Sequence, residues 1–246
     1  MNRRKVKPGS MFEELPQRYI FAGSSGSGKT NAMIHALLNW YPRFDRIYIF
    51  SKAVFLDDDN YWGHVFDNYK KRLERDPKTI QVYKNYNEMT LTRIMEEQEY
   101  RILLIKEHNA ANSPSCQRLR EPHILFIFDD MMGEEGFKNA TSRHPIEKVG
   151  YYGRHLNISA IAIVQTLVGI STTFRKQAGV VAFNTNNAQE RDAIYNMAGI
   201  YTKKEFNALL DEVFSVPYRP YIYQQFPRSR YFIGYSTELI QPSDEA

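Results

Sequence analysis

The run Gly23-Ser24-Ser25-Gly26-Ser27-Gly28-Lys29-Thr30 constrains this chain more than any other stretch. It satisfies the phosphate-loop pattern G-x-x-x-x-G-K-[ST] at every fixed position, and that pattern works only between a strand and a helix. The flanks supply both. Arg18-Tyr19-Ile20-Phe21-Ala22 reads as a short apolar strand, and Thr30 to Trp40 has helical periodicity that stops before Pro42. Glycines let the loop curl so that backbone N–H groups face phosphate oxygens, and the start of the helix adds the positive end of its dipole. Gly23, Ser24, Ser25, Gly26, Ser27, Gly28, Lys29 and Thr30 are therefore the expected nucleotide-binding residues. Lys29 would reach the β- and γ-phosphates, and the Thr30 hydroxyl would meet Mg²⁺.

Further apolar runs follow at Arg46–Ser51, Thr79–Tyr83, His123–Phe128, Ile158–Val164 and Gly179–Asn184. Helical patterns lie between them: part of 52–79, then 88–108, about 146–155, and 188–212. Fully apolar strands alternating with helices predict a mostly parallel sheet covered on both faces, an α/β fold. The stretches 220–226 and 230–235 flank Pro227-Arg228-Ser229 and read as a small C-terminal β-hairpin. The expected organisation is a basic N-terminal tail over 1–15, an ATPase domain over 16–215, a hairpin appendage over 216–240, and a disordered tail over 241–246.

With 246 residues, 43% hydrophobic and 24% charged, the chain has the composition of a globular protein rather than a disordered one. A single cysteine, Cys116, rules out an intramolecular disulfide. No apolar run is long enough to span a bilayer, and no apolar segment follows the basic run Met1–Lys7, so a secretory signal is not expected. The net charge of +4 permits a nucleic-acid partner without requiring one.

A second element of the chemistry is the strand Ile124-Leu125-Phe126-Ile127-Phe128 ending in Asp129-Asp130. A carboxylate at the tip of a buried strand beside the phosphate loop can hold the Mg²⁺ shell, and this role falls to Asp129. Asp130 would polarise the attacking water as general base. The triplet Asp57-Asp58-Asp59 has no strand before it and reads as a solvated loop or helix cap.

The next apolar strand, 158–164, has a polar residue near each end. Gln165 closes it. If this strand lies between the phosphate-loop strand and the acidic strand, its amide faces the γ-phosphate and the attacking water. Arg154 precedes it, at the opposite end of the sheet from the chain's own nucleotide. It can serve only the site of a neighbouring subunit, or else it is a surface residue at a helix end. No guanine-reading N-K-x-D element and no arginine-bearing lid is visible, which argues against a GTPase and a small-molecule kinase.

Taken together, Gly23–Thr30, Asp129-Asp130, Tyr152–Ser159, Val164-Gln165-Thr166, Phe174-Arg175 and Val180–Asn184 make the chain similar to the FtsK/HerA superfamily. Within it, the sequence resembles the poxvirus-type genome-packaging ATPases of large DNA viruses, virophages and related elements. The likeness covers roughly residues 18–200. It implies ATP and Mg²⁺ as cofactors, a homo-oligomeric pentameric or hexameric ring, and threading of double-stranded DNA into a preformed capsid. It also implies Gln165 as sensor and Arg154 as intersubunit finger, with Arg175 a second finger candidate or a structural link. Partners would be DNA, other copies of the chain, and capsid or portal vertex proteins, with no membrane. The place of action would be the host-cell cytoplasm or a virus factory.

DNA contacts should be mainly to phosphates, because a packaging motor must accept any sequence. Lys138 and Arg143 are candidates, as is the cluster Arg219, Arg228 and Arg230 with Tyr221 and Tyr223; each reads more readily as an ordinary solvated face. Two rival functions stay open at this point: a cellular HerA-like translocase, and an ATP-dependent assembly switch that moves no DNA.

Overall fold

In the computed structural model of the chain, residues 6–8, 15–40, 43–52, 54, 61–112, 117–131 and 144–239 are described. The elements in chain order are β1 (Val6–Pro8), β2 (Arg18–Ala22), α1 (Lys29–Trp40), β3 (Arg46–Ser51), α2 (Tyr61–Arg75), β4 (Ile80–Tyr83) and α3 (Glu88–Ala111). They continue with β5 (Ile124–Asp129), α4 (Pro145–Tyr152), β6 (Ile158–Val164), α5 (Thr172–Arg175), β7 (Gly179–Ala182), α6 (Ala188–Ala198) and α7 (Lys203–Phe214). The last strands are β8 (Tyr221–Gln224), β9 (Arg230–Ile233) and β10 (Thr237–Leu239).

All ten strands join one sheet in the order β1-β10-β9-β8-β7-β2-β6-β5-β3-β4. From β7 to β4 the neighbours are parallel, and from β8 to β1 they are antiparallel. Every residue of β2, β5, β6 and β7 is buried, as the unbroken apolar runs require of strands covered on both faces. Alternate side chains divide between two cores. Tyr19, Phe21, Leu125, Ile127, Ile161 and Ile163 face α1 and Trp62 of α2. Ile20, Phe126, Phe128, Ala160 and Ala162 face Leu91 and Met95 of α3, Val149 of α4, Ile194 of α6 and Leu209 of α7. The small residues Ala160 and Ala162 leave room for the stacked rings of Phe126 and Phe128.

Three features depart from the sequence reading. The helical pattern over 188–212 is two helices. Gly199 ends the first, because a side chain there would strike the Tyr195 ring, and Thr202 starts the second through a reciprocal capping box with Glu205. The hairpin gains a third strand, β10, paired with β9. Residues 1–15, expected as a tail, include β1, which pairs with β10. The hairpin hydrogen-bonds to β7 and extends the same sheet. Cys116, Asp57–Asp59 and residues 241–246 lie outside the described residues.

Candidate nucleotide site

Strand β6 lies between β2 and β5, so three strand tips converge at the carboxyl edge of the sheet. The phosphate loop leaves β2 at Ala22. Gly23 N donates to Val164 O (3.3 Å), while Asp130 N donates to Ile163 O (3.3 Å). These two bonds place the end of β6, and with it Gln165, between the loop and the acidic pair. Gln165 is exposed beyond the fully buried strand.

The loop itself is shaped for an anion. Gly26 (φ 71°) and Gly28 (φ 98°) take conformations that strain any residue with a Cβ. The first helical bond of α1 runs from Ala32 N to Gly28 O (2.9 Å), so the preceding N–H groups lack intrahelical partners. Ser27 Oγ is buried and has no partner among the described residues. Lys29 Nζ donates to Gly23 O (2.8 Å) and Ser24 O (2.6 Å), folding back over the loop that it would share with phosphate. Burial pushes the Lys29 ammonium below its ordinary pKa, while Asp129 and Asp130 pull it up. Both carboxylates therefore act electrostatically on the phosphate-loop lysine.

Asp129 is 7% exposed at the tip of β5 and accepts from Ser51 Oγ at 2.9 Å. Ser51 ends β3 and stands in register with Asp129. Asp130 is exposed and takes a left-handed conformation (φ 55°), which turns the chain sharply off the strand. Thr30 is half-buried at the start of α1. Mg²⁺ in a phosphate-loop site is held by one hydroxyl, one or two carboxylates, water and the substrate's own phosphates. Thr30 and Asp129 are a donor set of that kind, so the residues present fit the ion. Beyond Gln165, Leu167 N (2.6 Å) and Val168 N (3.4 Å) donate to Glu190, a buried carboxylate that holds the segment leaving β6.

Arg154 and Arg175 lie at the other, amino edge. Arg154 precedes β6, whose length puts it about 20 Å from Gln165. It is exposed, and its guanidinium sits 4.7 Å from the Phe226 ring centre. Arg175 closes α5 just before β7; its Nη2 donates to Thr172 Oγ1 (3.1 Å), and its Nε is buried without a partner among the described residues. Arg18, unremarked in the sequence, starts β2 on this edge. It is 6% exposed, donates through Nε to Gln177 O (2.9 Å), and has a buried Nη1 without a partner among the described residues. Burial, and then the charge of Arg154, lowers its pKa to about 10.

The proposed DNA cluster is dismantled by the sheet. Tyr221 and Tyr223 are buried strand residues, and Tyr221 Oη donates to Ala198 O (2.6 Å). Arg230 makes a two-pronged ion pair with Glu238 on β10 (3.0 and 2.7 Å). Arg219 donates to Val213 O (2.9 Å) and to Glu212 O. Arg228 alone of the cluster is exposed, in the β8–β9 turn at the amino edge. Lys138 and Arg143 lie outside the described residues.

Ser51, Glu190 and Arg18 were missed in the sequence. Ser51 carried a signal, since it closes an apolar strand as Asp129 does. Glu190 stands three residues after Asn187, whose side chain caps α6. The charge of Arg18 at the head of an apolar strand was visible, but its burial was not.

The family model described as poxvirus A32 protein matches residues 9–216. The chain belongs to that family. It is 29% identical over 156 residues to the DNA packaging protein OPG160 of Variola virus and, equally, of Vaccinia virus (strain Copenhagen). The matches cover 62% of this chain and 47% of each relative, so the chain spans about half the length of the curated relatives it matches. Among solved structures, the genome packaging NTPase B204 of Sulfolobus turreted icosahedral virus 2, in complex with AMP, superposes with a TM-score of 0.60. That match is 15% identical and covers 89% of this chain and 96% of B204. The pCW3 conjugation coupling protein TcpA, with ATPγS, gives 0.56 at 12% identity, over 96% of this chain and 67% of TcpA. Both likenesses establish the fold.

Proposed function

We propose that this chain is the ATPase of a viral genome-packaging motor, acting as a homo-oligomeric ring that drives double-stranded DNA into a preformed capsid. The observation that carries this reading is β6. Its carboxyl tip lies between the phosphate loop and Asp130, while Arg154 stands at its other end, beyond reach of the same site. Further support comes from the family, whose Variola and Vaccinia relatives are named as DNA packaging proteins, and from the shared fold of the viral NTPase B204.

In this reading the N–H groups of the phosphate loop and Lys29 bind the triphosphate of ATP. Thr30 and Asp129 would hold Mg²⁺, which supplies neutralisation of the charge on the β- and γ-phosphate oxygens. Ser51 fixes the Asp129 carboxylate. Asp130 takes a proton from the attacking water, and Gln165 orients that water and registers the γ-phosphate. Arg154 of one subunit stabilises the transition state in the next, with Arg175 as the second basic group on that face. Repulsion by Arg18 leaves the Arg154 guanidinium ready for an anion. Residues 16–215 are the proposed ATPase unit and 216–240 its appendage, whose strands β8 to β10 extend the sheet towards a neighbour or a capsid vertex. The site of action is the cytoplasm or virus factory of the infected cell, at the capsid. Among the described residues no helix is long and apolar enough to cross a membrane.

The test is ATP hydrolysis with and without duplex DNA across a range of salt, alongside mass measurement of the assembly with ATP and Mg²⁺. DNA should stimulate turnover, the stimulation should fall as salt rises, and the active species should be a closed oligomer. Turnover indifferent to DNA at every salt concentration would replace this reading with that of an assembly switch.

A further inference from the structure

The turn that joins α7 to β8 passes over the phosphate loop. A Cβ on Gly28 would come within 3.2 Å of Tyr218 Cδ1 and 3.7 Å of Tyr218 Cβ, so the tyrosine lies directly against the loop. Tyr218 is nonetheless 69% exposed. Its backbone is left-handed (φ 61°), a conformation that costs an aromatic residue on the order of 1–3 kcal/mol and persists only where its surroundings enforce it. The next residue does so: Arg219 donates from Nε to Val213 O and from Nη2 to Glu212 O, which ties the turn to the end of α7. Tyr221 then pairs with Ala182, which sets the turn at the carboxyl edge beside the loop.

A buried ring in that place would be core packing. An exposed ring, held in a strained backbone against the residues that cradle the triphosphate, has no packing role to explain its cost. What adjoins a phosphate cradle in a nucleotide site is the nucleoside. We infer that Tyr218 is the platform on which the base of the bound nucleotide stacks. This rests on the reading of residues 23–30 as the ATP site. Stacking uses the π-face that every base has. Tyr218 therefore contributes affinity for the nucleoside without choosing adenine over guanine.

The experiment is calorimetric binding of Mg·ATP and of inorganic tripolyphosphate to the full chain and to Tyr218→Phe and Tyr218→Ala. Tyr218→Ala should weaken ATP about 5- to 150-fold, the range for an aromatic–base stack lost to alanine. Tyr218→Phe should bind ATP as the parent does, and all three should bind tripolyphosphate alike. Undiminished ATP affinity in Tyr218→Ala overturns the assignment. So does an equal loss for tripolyphosphate, which would make the ring a prop for the loop. Failure of the parent chain to bind either ligand overturns the loop assignment itself, and this one with it.

Discussion

At the carboxyl edge of the parallel sheet the polar groups answer one another. Ser51 holds Asp129, Lys29 feels both aspartates, Glu190 holds the segment beyond Gln165, and main-chain bonds join the loop to β6. The amino edge has the reverse character. Arg18, Arg154, Arg175, Lys176 and Arg228 gather there, and among the described residues no carboxylate forms an ion pair with any of them. Arg18 and Arg175 each keep a buried nitrogen without a partner among the described residues. A buried guanidinium without a counterion is costly, and native proteins seldom leave one uncompensated. The contrast supports the proposed reading, in which the basic amino edge of one subunit meets the nucleotide held at the carboxyl edge of the next.

The strongest way to break the comparison is Arg154→Ala. The variant should fold and bind ATP as the parent does, while turnover of the assembled protein falls by about 10³–10⁵-fold. In mixed assemblies it should silence parent subunits beside it; activity that simply scales with the parent fraction would sink the trans assignment. Next is Asp130→Asn, on the other edge. It should retain ATP affinity and lose about 10²–10⁴-fold in turnover, with no poisoning of neighbours. Binding isotherms and single-turnover hydrolysis separate those two effects.

Arg18→Met gives a smaller and more diagnostic effect. It removes a desolvated charge, so the melting temperature of the isolated chain should hold or rise, while turnover of the assembly falls about tenfold. A large drop in melting temperature would show that Arg18 serves the chain's own core. The smallest effect belongs to Glu147, which is fully buried on α4, accepts from Ser171 at the start of α5, and has its Oε2 without a partner among the described residues. Burial raises its pKa. A raised carboxyl pKa is harmless below the unfolded value and costs stability as pH climbs past it. Glu147→Gln should therefore raise the melting temperature by a few degrees at neutral pH and lose that gain below about pH 4, where both carboxyls are protonated. A gain that persists in acid would exclude ionisation as its cause.

Much of the carboxyl edge was legible because its residues stand beside strong local patterns. The phosphate loop is contiguous, Asp129 ends an apolar strand, and Gln165 ends another. The position of β6 between β2 and β5 followed from the order of those motifs. The amino edge was harder to read. The placement of Arg18 depends on the return of the chain through Gln177, over a hundred residues later in sequence. The basic and aromatic residues of 219–231 looked like a surface patch, yet period-two alternation in so short a strand pair cannot say which face is covered. Only the third strand, β10, supplies Glu238 to take up Arg230. That strand and β1 are three residues each, too short for any periodicity to announce them.

The pairing of β1 with β10 has a practical consequence. The antiparallel flank of the sheet ends in a row of backbone groups on β10 that Val6–Pro8 covers, with Pro8 unable to donate onward. Trimming the chain to the start of its motif-bearing part would uncover that row and offer it to any passing strand. Clipped preparations of this protein should therefore fail by sticking to one another in solution, well before the nucleotide chemistry itself is harmed.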